Sequence, residues 1–148
     1  MTSPRAWIWL AVLVQIAGLA FDGLWHGLLH PRFEATSVPE MVAHLSTVHL
    51  PIYVGVLAVL VTTTWALVDG LRRERAGIAL SVAFSGALLA ATGEAWHAYT
   101  HLQLRTHGGQ LAAATSALGL VIVIVAVWRS GRGARWPAGG SLDRRRAA

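Results

Sequence analysis

Apolar positions along the chain gather into four long stretches, residues 7–29, 41–68, 76–102 and 111–128, separated by short polar joints. Each approaches or exceeds the roughly 20 residues a helix needs to cross the hydrocarbon of a bilayer. The pattern predicts an all-α protein, an integral membrane four-helix bundle. A cleaved signal peptide competes for the first stretch, because Arg5 precedes it. However, the run is too long for such a peptide and lacks a small-x-small site before Asp22.

The joints carry helix punctuation. Pro31 closes the first helix, and Ser37 with Glu40 three residues later fits a capping box, with Pro39 in the first turn. The second helix therefore starts near Val38 and runs about 30 residues, or about 45 Å, so its first turns project from the hydrocarbon or the helix tilts. Pro51 kinks it. Gly108 and Gly109 loosen the chain before the fourth helix. Residues 1–129 form one bundle, and residues 130–148 form a basic, disordered tail within reach of anionic lipid heads.

Composition supports the membrane reading: of 148 residues, 55% are hydrophobic and 13% charged, with a mean hydropathy of +0.54, outside the balance of a soluble domain. Cysteine is absent, which excludes disulfides, thiolate ligands and covalent haem attachment. All 12 basic residues are arginine. Ten lie at the N-terminus, in the second joint and in the tail, against Arg32 and Arg105 in the first and third joints. The positive-inside rule then puts both termini on the cytoplasmic side of a cell (inner) membrane. The net charge of +5 is mostly this topology signal. A nucleic-acid partner is excluded, since the arginines are spread over short segments with no folded domain to present them.

In this topology all seven histidines fall in the outer layer: His26, His30, His97 and His101 at the ends of outward helices, and His44, His49 and His107 near the starts of inward ones. Asp22 and Glu94 lie about one turn deeper. A carboxylate there costs on the order of 2.5–3.5 kcal/mol, so it is expected to face the bundle interior beside a partner, and the histidines are the partners at hand. At about 100° per residue, Asp22, His26 and His30 make one stripe, and Glu94, His97 and His101 another. His44 and His49 differ by about 140°, so an undistorted helix cannot aim both at one point. Pro51 lies beyond both. His49 is therefore expected as the ligand, and His44 as part of an outer shell or a headgroup contact.

Trp25-His26-x-x-x-His30 and Trp96-His97-x-x-x-His101 repeat one pattern 71 residues apart, which suggests two helical hairpins related by a pseudo-twofold axis along the membrane normal. Glu94-Ala-Trp-His97 resembles the Glu-x-x-His element of ferritin-like carboxylate proteins. That family uses two copies where this chain has one, with Asp22-x-x-x-His26 in place of the other.

Three functions stay open at this point. Neutral imidazole with carboxylate is the donor set for iron, copper and zinc. The first reading is a membrane metalloprotein with a mono- or dinuclear centre near the extracytoplasmic face. Asp22, His26, His49, Glu94 and His97 would form it, with His30, His44, His101 and His107 as outer ligands or supporting partners. Such a centre suits a metal-dependent membrane oxidoreductase with a membrane-soluble substrate or a redox partner. The second is a b-type cytochrome, with haem b held by two of His26, His30, His97 and His101. The third is a metal-ion or proton transporter, for which the inner half offers mainly Thr62, Thr63, Thr64, Ser81 and Ser85. Four short helices would also suit a homo-oligomer. Single interfacial histidines and tryptophans otherwise serve as headgroup contacts and belt anchors, and Gln110 as interhelical glue.

Overall fold

The computed structural model describes residues 3–73, 76–104 and 109–132. Five α-helices follow one another: α1 (Pro4–Leu24), α2 (Val38–Thr47), α3 (Leu50–Arg72), α4 (Ile78–Leu102) and α5 (Gln110–Arg132). Ser3 caps α1, with Pro4 in its first turn. A π-helical turn, Trp25–Leu29, continues α1 and closes on a 2.7 Å bond from the His30 N–H to the Trp25 carbonyl. Ser37 accepts from the Glu40 N–H, and the Glu40 carboxylate accepts from Thr36 N–H and hydroxyl at 2.8 and 3.1 Å, so the expected cap closes one residue early.

Four spans, Pro4–Leu29, Leu50–Arg72, Ile78–Leu102 and Gln110–Gly131, are long and apolar enough to cross a membrane. Between 28% and 39% of each span's most apolar window is buried in the bundle. Leu10, Leu13, Leu57, Val61, Leu88, Leu118 and Val121 point outward. An apolar girdle of this extent fits lipid and not water. Inside, Ile8, Val12, Val59, Ala83, Ala87, Val123 and Val127 make the core at the end that holds the chain termini.

The expected second helix is two helices. Residues 38–47 and 50–72 are separately helical, with the break at Val48 and His49. Proline explains it: Pro51 has no N–H to give and its ring crowds the carbonyl four residues back, that of Thr47, where α2 ends. Thr47 turns its hydroxyl onto the carbonyls of Ala43 and His44 at 2.8 and 3.2 Å. The break also resolves the length problem, since α3 alone is long and apolar enough to cross the hydrocarbon, without α2.

The spans pack as two hairpins, α1 against α3 and α4 against α5, joined chiefly through α3 and α4. Glycine sets the approach in each. A Cβ on Gly18 would stand 2.7 Å from backbone atoms of Pro51 and Ile52, and one on Gly93 would collide with the backbone of Ser116. These two contacts bring α1 onto the start of α3 and α5 onto the outer half of α4, where the polar side chains are.

Candidate metal centre

At the bundle end opposite the termini, three chain segments meet. The last turn of α1 supplies Asp22, and the π turn supplies His26. The last turn of α2 supplies His44, the α2–α3 break supplies His49, and the final turns of α4 supply Glu94, His97 and His101. The break is what aligns the second segment. The His44 and His49 rings stand 5.0 Å apart at 78°, instead of diverging around a continuous helix. Of the places expected for His44, the structure gives the one inside the cluster: it is 5% exposed, packed on His26 at 5.0 Å and on His49.

His49 sits at the middle, 1% exposed, with the rings of His26, His97 and His101 at 5.8, 5.7 and 5.2 Å. Asp22 Oδ1 lies 3.6 Å from His26 Nε2 and 3.5 Å from His49 Nε2, and closes a hydrogen bond with neither. Two groups of three donor atoms result, His26–His44–His49 and His49–Glu94–His97, each spanning no more than 4.8 Å. Nitrogen and oxygen ligands bonded at about 2.0–2.1 Å to one ion stand at most about 4 Å apart. A shift of under an ångström therefore closes either group onto a metal.

His97 is oriented as a ligand would be. Its Nδ1 lies 3.3 Å from the Gly109 carbonyl oxygen, which can only accept, so the proton is assigned to Nδ1 and Nε2 keeps a lone pair. A metal-binding histidine is commonly held in this way by a carbonyl behind it. That lone pair takes the His101 Nε2–H at 3.0 Å, a bond that a metal on His97 would displace, and His101 Nδ1 is left as a buried acceptor without a partner. Ser116, from α5, hydrogen-bonds the Glu94 carboxylate. The other Glu94 oxygen has no partner, nor do Asp22 Oδ1, His44 Nε2, both nitrogens of His49 or the Tyr53 hydroxyl. Each such buried orphan costs about 1–3 kcal/mol. A cation would satisfy several at once.

Burial, with the charge of His26 second, holds His44 down at about 4. Burial, then the neighbouring histidines led by His101, holds His49 at about 3. Both are therefore neutral donors at physiological pH, the form a metal requires.

Two predicted residues stand apart. His30 is exposed and stacks on Trp25 at 4.4 Å, outside both groups. His107 lies outside the described residues. Gln110 is exposed. Three contributors escaped the sequence reading. Tyr53 stacks on His49 at 6.1 Å, Ser116 bonds Glu94, and Phe33 stacks on His44 at 4.5 Å beneath Trp25. Tyr53 carried a signal, since it follows His49 by four residues and so shares its helical face.

The site has two approaches. A hollow of about 210 Å³ at the bundle end is lined by His26, Arg32, Glu34, His44 and His101, among others. A groove of about 330 Å³ runs down the outside of the bundle between α3 and α4 and reaches Tyr53 and Glu94. No protein-family model, curated protein or solved structure matches this chain.

Proposed function

We propose that this chain is an integral membrane metalloprotein whose His/carboxylate centre holds one or two transition-metal ions, iron, copper or zinc, near the extracytoplasmic face. The observation that carries the reading is the pair of three-donor groups sharing His49, set among buried polar atoms that make no hydrogen bond. Their chemistry is mixed imidazole and carboxylate, the donor set of those three metals. Arg5, Arg72, Arg73 and Arg129 lie at the other end of the bundle, which supports the extracytoplasmic placement. Iron or copper here would exchange electrons with a redox partner or oxidise a membrane-dissolved substrate, and zinc would act as a Lewis acid.

The packing favours bare ions over haem. The imidazoles already touch one another, with ring centroids 4.5–5.8 Å apart. The hollow beside them, about 210 Å³, is below the roughly 300–1,000 Å³ usual for a small-molecule pocket. It also favours a resident ion over transport. Towards the termini the described core is aliphatic, with Gln15 and Thr63 as its buried polar side chains between the cluster and the inner end.

The test is elemental analysis of protein purified in mild detergent from cells supplied with iron, copper and zinc. One or two transition-metal ions per chain are expected, with His49→Ala inserting normally and retaining under a tenth of the wild-type content. Folded wild type that binds none of the three metals, or His49→Ala with full content, would overturn the reading.

A further inference from the structure

The groove between α3 and α4 is lined by Tyr53, Val56, Leu57, Leu60, Glu94 and the alanines 91, 95 and 98. Its lining covers residues 53–60 of α3 and 91–98 of α4, eight residues on each helix, and so runs for about 10 Å. Both walls belong to membrane-crossing spans, and Leu57 on its rim is 60% exposed, so it opens sideways into the hydrocarbon. Its surface is almost wholly apolar, with two exceptions. Glu94, 4% exposed, presents an oxygen without a partner, and the Tyr53 hydroxyl is buried without one.

An acyl chain lying in this groove would cover the leucines and alanines but leave both polar atoms unpaired, at about 1–3 kcal/mol each. A molecule with an apolar body and an oxygen head would satisfy them. A hydroxyl head does both at once: its oxygen accepts from the Tyr53 hydroxyl and its hydrogen goes to the Glu94 carboxylate. We infer that the groove admits a lipid-dissolved alcohol, an apolar body headed by a hydroxyl group, from the side of the bundle, and seats that head on Tyr53 and Glu94. Glu94 also belongs to the second donor group, so the head arrives beside the metal centre. To that extent the inference rests on the metal reading and names the ligand class of the same site.

The experiment uses the full chain in lipid nanodiscs with a photoactivatable long-chain alcohol, mapping adducts by mass spectrometry and measuring metal content on the same samples. Adducts are expected on residues 53–60 and 91–98. Unlabelled decanol should suppress them at least fivefold, and the alkane of equal length should not. Leu57→Trp and Ala95→Phe, at exposed positions that tolerate bulk, should remove the adducts with metal content unchanged. Tyr53→Phe should weaken competition about tenfold, the size of one strong hydrogen bond. Equal competition by the alkane, or wild-type labelling in both blocked variants, would overturn the inference while the metal content stands. Specific labelling in protein that binds no metal would instead sink the metal reading and leave the groove.

Discussion

The two Trp-His-x-x-x-His segments begin alike and end differently. In α4 the helix stays regular, and His97 and His101 remain on one face with their Nε2 atoms 3.0 Å apart. In the first segment the chain widens into a π turn, so His26 enters the cluster while His30 leaves it for the exposed face of Trp25. Proline makes the difference. Pro31 pushes His30 out of the helical region, to φ −137° and ψ 60°, whereas His101 is followed by Leu102 and stays inside α4. Their tryptophans diverge as well: Trp25 packs against His26, His44 and Phe33, and Trp96 is 42% exposed. Identical spacing thus yields one clustered histidine in one place and two in the other, because the residue after the motif decides whether the second histidine stays in the helix.

The largest effect should come from the positions the motifs share. His26→Ala and His97→Ala each remove a donor from one of the two groups, and each should cut bound metal by half or more in elemental analysis. If either retains the wild-type content, the motifs are not equivalent at their first histidine. Next comes the other proline-made distortion. Pro51→Ala permits a continuous helix through residues 47–51, in which His44 and His49 diverge by about 140°. Metal affinity should fall on the order of 10–100-fold, the range seen when ligand orientation is lost, with insertion intact; calorimetric titration measures it. The second histidines should separate the motifs. His101→Ala is expected to weaken binding about tenfold by freeing the His49 and His97 rings it packs against, and His30→Ala to change it less than about twofold. Equal effects would erase the distinction drawn here.

The smallest effect is on pH dependence. His44 and His49 take up protons near pH 6.5 when unfolded, but only at about 4 and about 3 when folded. Between those values the unfolded chain binds more protons, so stability is fully present above pH 6.5 and declines as pH falls towards 4 and below. The melting midpoint of the metal-free protein in detergent should follow that decline, with a shallower slope in His44→Gln. A slope unchanged in this variant would remove His44 from the account.

Much of the architecture was legible because bilayer thickness imposes a length on each span. Residues 7–29, 76–102 and 111–128 anticipate three observed spans to within a few residues. Depth likewise marked Asp22, His26, His49, Glu94 and His97, since a buried carboxylate needs a partner at its own level. Reasoning from uniform helical rotation failed where the helix is not uniform. It could not separate His30 from His44, both expected as outer ligands or supporting partners; the bundle packs His44 on His26 and His49 and leaves His30 exposed on Trp25. Ser116 and Phe33 were invisible for another reason, and Tyr53 was marked only by its spacing from His49: a tyrosine, serine or phenylalanine in such a chain packs or anchors in most settings. Their roles depend on which neighbour the bundle delivers, as Gly93 delivers Ser116 to Glu94.

The hollow at the bundle end and the lateral groove meet the cluster from different media. Arg32 and Glu34 edge the former, while Leu57 and Ala95 edge the latter. A water-soluble chelator supplied from one face of a sealed vesicle could thus strip ions through the hollow while an oily guest still occupied the groove. Ions and an oily guest would then arrive by separate routes, each governed by the concentration in its own medium.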